Sequence, residues 1–480
     1  MKTRKVLTPT SRVRFGHGRE DITPPVGIYH RMWGAARHDR STGVHRPILA
    51  DVMIFGSLSD ESDLLVRAHI DLVGLVTADH NAVVDGLAKV VGVGEDRIDL
   101  TYSHSHSSGF YMPDRVALPG GELIPDYLKE VAEKVSRAGA AARDALEVAV
   151  ITYATGRCNM AANRDCYDEE FEGHVCGFNP DVEPDETVLV GRVTDLAHRQ
   201  VATLVNYGCH PTTLAWDNTL LSPDYVGTMR EEVEHVTDCP CVFAQAPSGN
   251  QGPRHGFVGD LNVADKNGRQ LGFAALSALM SMGPPGTDYA YQGPVISGAT
   301  IGTWAYTPLT EDRREASAIF NTGIHSVDLP KRTDLDTKKF EEQMAEWTEK
   351  QKEADAEGDV VKARDYGARA ERARRWMGRL KGMPEGPTYP YRFTVQRLGD
   401  ALWVSCGGEP YSTVQQVLRK RFPNQTLLFS PLAGTIQVAY LLDEASYGKG
   451  LYQEEPSSLG KGCLEILIEA MAEKIAAVIS

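Results

Sequence analysis

The sequence predicts an α/β fold, a mixed β-sheet core flanked by helices. Two observations predict it. Three separate stretches run from a β-rich segment through a polar, chemistry-bearing residue into a loop or helix and on towards another strand. Hydrophobic residues make up 42% of the chain and charged residues 24%, an ordinary globular balance that allows a sizeable core.

The first stretch is "RIDLTYSHSH", a strand that runs into His104 and His106. It is fed by "HNAVVDGLAKVVGVG", whose apolar residues fall at helical spacing. The second is "QVATLVNYGCHPTTL", which places His210 just past a β-rich run. "LSPDYVGTMREEVEHV" follows, with Ser222 as a cap, Pro223 suited to a first turn, and early acidic residues. The third is "DALWVSCGGEP", ending on Glu409, then the helix "YSTVQQVLRKRF" and the strand "QTLLFSPL". Residues 334–382 differ in kind, being dense in charge and helix formers, and Gly358 with Asp359 marks a break between two helices. Phe340, Met344 and Trp347 form one helical stripe, so a charged helical hairpin is expected there, as packing element, oligomer arm or lid. The C-terminal "CLEILIEAMAEKIAAVIS" reads as an amphipathic, core-facing helix.

Composition excludes some partners. The net charge of -15 argues against nucleic acid and anionic membrane surfaces. No apolar run approaches the roughly 18 residues of a membrane span, and the basic N-terminus has no apolar core of a secretory signal. A cytoplasmic location is therefore expected, with a small-molecule substrate as partner and a homo-oligomer as an open possibility. The eight scattered cysteines form no CxxC module and read as reduced.

Ligands of α/β sheets collect beyond the carboxyl ends of strands, where His104, His210 and Glu409 all fall. On a strand, residues two apart share a face, so His104 and His106 are expected to share one site, one on metal and the other on substrate. Pro211 stops pairing and stiffens the backbone after His210, and Gly208 permits close approach. Gly407, Gly408 and Pro410 hold Glu409 in a sharply turned segment. Two histidines and a carboxylate with an open position make a catalytic zinc arrangement. Asp224 orients His210 or charges a helix N-terminus; the sequence favours neither. His17, His45 and His69 read as structural.

Ten segments occur in order between about residues 14 and 455, among them "FGHGREDITPPVG", "TYSHSHSSGF", "ANRDCYD", "GFNPDVEPDETV", "NYGCHPTTL", "FAQAPSGNQGP", "GGEP" and "VAYLLDEASY". Together they resemble the catalytic domain of the neutral ceramidases, zinc-dependent amidases. The resemblance implies one Zn2+ per chain, on His104, His210, Glu409 and Tyr440. It implies His106, Arg164 and Tyr447 as catalytic residues, with Asn163 and Ser248 beside the substrate. Residues 1–480 are then one zinc hydrolase domain with 334–382 inserted, and without the family's C-terminal β-sandwich. Zinc held there lowers the pKa of a bound water toward about 7 and polarises the scissile carbonyl.

Two departures bear on mechanism. The family's "QSNxGDxSP" segment reads "QAPSGNQGP" here, so Ala246 stands at a serine position and Asn250 at an aspartate position. A serine nucleophile is therefore not expected, whereas a metal-activated water needs none. The expected reaction is hydrolysis of an amide, N-acyl or lactam, in a small or polar molecule rather than ceramide. An ester or lactone on the same site, and a non-catalytic binding protein on a decayed hydrolase fold, are the alternatives.

Overall fold

The computed structural model describes residues 4–480. Its core is an eight-stranded mixed sheet: β1 (Thr10–Asp21), β2 (Leu49–Gly56), β3 (Leu64–Ile70), β4 (Ile98–Tyr102), β5 (Glu147–Arg157), β6 (Thr187–Asp195), β7 (Gln200–Tyr207) and β8 (Cys241–Gln245). Their order is β8-β7-β6-β5-β1-β2-β3-β4. The two outermost pairs, β7–β8 and β3–β4, are parallel and every pair between them is antiparallel.

Strict alternation along these strands sends side chains to two different layers. Val52, Ile54, Val66 and Ala68 pack under α1 (Thr77–Val91) and α2 (Ile124–Asp144). Val188, Val190, Val205 and Phe243 pack under α3 (Tyr225–Thr237) and α4 (Leu261–Met280). The opposite-facing Phe55, Leu65, Ile151, Leu189, Leu204 and Val242 meet Leu398, Trp403 and Leu428 of a second sheet.

That second sheet, β9 (Phe320–Pro330), β10 (Thr388–Leu398), β11 (Ala401–Cys406) and β12 (Thr426–Ser430), runs in chain order and ends in a parallel β11–β12 pair. The helices α5 (Thr337–Glu357) and α6 (Val360–Leu380) interrupt it between β9 and β10; α7 (Thr413–Arg421) and α8 (Cys463–Ile479) cover its outer face. The predicted mixed sheet flanked by helices is present and doubled: two sheets face each other between two helical layers. A buried polar clamp joins the sheets. Arg67 pairs with Asp99 at 3.2 Å and donates to Ser405 Oγ at 3.1 Å and to Gln396, with its guanidinium 4.6 Å from the Trp403 ring.

The parallel pairs explain where the polar strand ends gather. Each is a strand–helix–strand unit: β3-α1-β4, β7-α3-β8 and β11-α7-β12. His104 follows β4, His210 follows β7 and Glu409 follows β11. Face-to-face packing of the sheets brings these three carboxyl ends to one place.

The charged segment forms the expected hairpin. Gly358, at φ 74°, takes the left-handed conformation that ends α5. The apolar stripe faces the partner helix, with Phe340 stacked on Trp376 and Trp347 on Tyr366. The hairpin docks on the body through α6: Glu371 takes both terminal nitrogens of Arg115, and Arg375 donates to the Met32 carbonyl at 2.6 Å. All eight cysteines are free. Among the described residues no helix is long and apolar enough to cross a membrane.

Candidate metal centre

His104, His106 and His210 come together, with one nitrogen from each within 4.8 Å of the others. The expectation that the first two share a site holds for a different reason from strand alternation. β4 ends at Tyr102, and His104 stands at φ 68°, in the left-handed region. Such a residue costs of order 1–3 kcal/mol and persists where its surroundings fix it. Here the His104 N–H donates to Leu72 and the His106 N–H to the Pro211 carbonyl. The turn, rather than the pleat, folds both rings to one side.

His210 is fixed in the same manner. Its N–H donates to the Gln251 carbonyl at 3.1 Å. Gly208 is required beside it, because a Cβ there would stand 2.7 Å from the Pro247 carbonyl oxygen. Glu409 begins a two-residue parallel ladder opposite Tyr440, so carboxylate and phenol enter the site from paired backbones. Gly408 precedes it at φ 66°, where a Cβ would meet the Ala439 oxygen at 2.5 Å. The segment 248–250 stitches these pieces together. Gly249 N–H donates to the Pro410 carbonyl, the Asn250 carbonyl accepts from Arg164 N–H, and Asn250 Oδ1 accepts from Ser412 N–H at 2.8 Å.

The donor chemistry of the cluster asks for a cation. His104 Nδ1 lies 2.6 Å from the Val73 carbonyl and His210 Nδ1 lies 2.8 Å from the Ser248 carbonyl. A carbonyl only accepts, so each Nδ1 carries the ring hydrogen. The Nε2 of a neutral ring is then a bare lone pair. Both Nε2 atoms point at the same acceptor, Glu409 Oε2, at 3.3 Å and 2.8 Å. Two lone pairs facing a carboxylate repel unless a proton or a metal ion stands between them. Burial, joined by the Arg164 charge, pushes His210 down to about 4, which disfavours the proton at neutral pH. Burial raises Glu409, and a positive charge at the His104 and His210 nitrogens, as a proton or a metal ion supplies, pulls it well below the usual carboxylate range. Imidazole nitrogens and a carboxylate oxygen aimed at one point fit a divalent cation.

Two three-residue donor sets share His104 and His210; one adds His106 and the other Glu409. His106 Nε2 is buried and has no hydrogen-bond partner among the described residues. Its ring leans on Trp33, centroids 5.2 Å apart, and Trp33 in turn meets Trp216 and Phe257. Burial and the two neighbouring histidines hold His106 well below the usual histidine range. Glu409 contacts both other histidines directly, and its ladder partner Tyr440 sets its ring 6.0 Å from that of His210. The three histidines form one candidate donor set, and Glu409 in place of His106 forms the other.

Arg164 is buried, with its guanidinium 5.4 Å from the Tyr440 ring, and it donates through Nε and Nη2 to the Gly249 carbonyl. Asn163 lies beside it and accepts from Asp165 N–H, a turn contact. Ser248 touches His210 chiefly through its carbonyl; its hydroxyl accepts from Gln245 and stands 3.4 Å from Nδ1. Asp224 caps α3: its carboxylate accepts from Tyr225 and Leu214 N–H, so of its two predicted roles it fills the helix-terminal one. Tyr447 makes its hydrogen bonds elsewhere. Its hydroxyl donates to the Leu459 carbonyl, beside the Cys463 thiol at the start of α8. A turn at Glu444–Ser446 separates Tyr440 from Tyr447, and it is Tyr452 whose ring meets Tyr440 at 5.9 Å. Trp33 and Tyr452 carried no sequence signal, since each lies in a loop remote from the histidines. His17, His45 and His69 are structural, bonded to Asp51, Ser222 and Thr101.

A buried histidine cluster at the carboxyl ends of strands, beside a glutamate, is a group that could hold a metal ion. The chain belongs to the neutral/alkaline non-lysosomal ceramidase family, whose N-terminal model matches residues 13–254. The fold is similar to that of the neutral ceramidase from Pseudomonas aeruginosa, at a TM-score of 0.65 and 16% identity over 97% of this chain and 74% of that one. It is similar also to a ceramidase complexed with C2, at 0.63 and 16% over 96% and 74%. At that identity the likeness establishes the fold. Comparison with curated proteins returns no match. Family and fold together suggest an amide-bond hydrolase.

Proposed function

We propose that this protein is a zinc-dependent amidohydrolase acting on a small or polar amide, with residues 1–480 as one catalytic unit and the α5–α6 hairpin as an insertion. The observation that carries this reading is the pair of bare histidine nitrogens aimed at one glutamate oxygen. His104, His210 and Glu409, with Tyr440, would hold the ion. A zinc ion so held supplies an activated water and polarises a carbonyl.

The chain's own residues do the rest. His106, neutral and with Nε2 unengaged, is placed to hold or pass a proton at the reacting carbonyl or the leaving nitrogen. Such general acid–base help is worth about 10²–10⁴-fold. The Val73 and Ser248 carbonyls fix the tautomer and aim of His104 and His210, as orienting groups behind metal-binding histidines do. Arg164, pinned to the Gly249 carbonyl, keeps a positive charge beside Tyr440 and Glu409, favouring their ionised forms. Trp33, Trp216 and Phe257 offer an apolar wall on the His106 side.

The reading is tested by assaying the purified protein on a panel of N-acyl amides, before and after exhaustive chelation. Hydrolysis that disappears with the metal and returns with one equivalent of zinc supports it. Hydrolysis that persists in fully metal-free protein contradicts it.

A further inference from the structure

The α5–α6 hairpin carries a cation, Arg379 on α6, that forms no ion pair among the described residues. Arg375 and Arg379 stand one turn apart on α6 and so share a face. Arg375 is fully engaged: it bonds Glu371 at 2.8 Å and the Met32 carbonyl, next to Trp33. Arg379 is not. It makes no ion pair with any acidic side chain of the described residues, and its buried Nε has no hydrogen-bond partner. Its guanidinium lies over Trp376, 5.2 Å from the ring centre, which fixes its direction. Burial disfavours the Arg379 cation, whereas the charges of Glu409, Tyr452 and Glu455 favour it. The docking contacts of α6 place it over the same loops: Arg115, Met32 and Gly34, the last with a Cβ position 2.9 Å from Ala368.

A half-buried guanidinium with an orphaned nitrogen is costly unless something pairs with it. The carboxylate of Glu409 already faces two histidines, and that of Glu455 pairs with Arg372 at 3.1 Å. The missing partner is therefore an anion that arrives from outside and reaches the metal centre. Arginine is suited to it, since its planar fork matches a carboxylate with two parallel bonds.

We propose that Arg379 binds a carboxylate of the substrate, and that the substrate is an N-acyl amino acid whose scissile amide lies at the metal centre. The proposal rests on the amidohydrolase reading above and narrows its substrate. In the reaction a water oxygen adds to the acyl carbon, the C–N bond breaks, and the nitrogen departs with a proton. The products are a carboxylic acid and a free amino acid, with no oxidant or reductant consumed. The charged hairpin is on this view a specificity element.

The test uses a matched pair of probes, N-octanoylglycine and its neutral primary amide, octanoylglycinamide, on zinc-loaded wild type and on Arg379→Gln and Arg379→Lys. Wild type should prefer the acid in kcat/KM, and Arg379→Gln should lose that preference by roughly 10- to 100-fold, mainly through KM. Arg379→Lys should recover part of it. Calorimetric binding of the same two probes is the second measurement, and it does not require turnover. If both probes are cleaved and the preference is unchanged in Arg379→Gln, the carboxylate site is refuted while the hydrolase reading stands. If neither is cleaved but the acid binds wild type and not Arg379→Gln, the carboxylate site stands and the hydrolase reading falls. No cleavage together with equal binding of the probes overturns the proposal.

Discussion

Glu409 Oε2 stands 2.8 Å from His210 Nε2 and 3.3 Å from His104 Nε2, although both rings spend their hydrogens on carbonyls behind them. One acceptor faces two acceptors. This relationship is the physical basis for proposing a metal centre there, with His104, His210 and Glu409 as its proposed ligands.

Ser248 is the clearest case of a residue beside the proposed ligands. Its carbonyl, and not its hydroxyl, holds His210. Ser248→Ala keeps that carbonyl, so kcat/KM should fall by less than about tenfold with metal content unchanged. A loss of several orders with zinc retained would assign the hydroxyl a nucleophilic role, even with Ala246 at the position where the family carries serine.

Asp224 gives a pH signature. Burial raises its carboxyl from 3.8 to about 6, against the backbone N–H groups of Leu214 and Tyr225, which lower it. An acid whose folded pKa is raised contributes stability that is complete below its unfolded pKa. That contribution is lost as pH rises through the folded value. Between pH 4 and 6 the wild type should therefore lose stability relative to Asp224→Asn, by about 3 kcal/mol at most. Denaturant unfolding of both proteins in chelator across that range measures it. Parallel pH profiles would show that Asp224 stays ionised.

Much of the site was legible in the chain, and the reason is local. Gly208, Pro211, Gly408 and Pro410 punctuate the backbone around His210 and Glu409, and strand patterning ends just ahead of each. The left-handed turn at His104 gave no such sign, because no glycine marks it. The carbonyl of Val73 and the ring of Trp33 reach the site by tertiary packing alone. Tyr447 hydrogen-bonds at the start of α8, and a tyrosine in register says nothing of the turn that precedes it. The two facing sheets were hidden for a related reason. Alternation such as Phe55 beside Ile54 tells that two faces are buried, not that one of them meets another sheet.

Arg67 joins those sheets, and its removal tests the clamp. It is fully buried, paired to Asp99, and Asp99 also accepts from Gln396 and Ser405. Arg67→Ala would strand a buried carboxylate and should cost about 3–5 kcal/mol. Arg67→Met with Asp99→Asn, which removes both charges, should cost less than Arg67→Ala alone. Equal losses for the two proteins in denaturant unfolding would mean that volume, and not charge, dominates there.

Metal stoichiometry in three variants decides the ligand set. Elemental analysis of purified wild type, His106→Ala, His210→Ala and Glu409→Gln should find about one zinc per chain in the first two and almost none in the last two. His106→Ala should keep its zinc and lose hydrolysis by about 10²–10⁴-fold. Zinc lost from His106→Ala and retained in Glu409→Gln would contradict the account, and would make the three histidines the ligands instead.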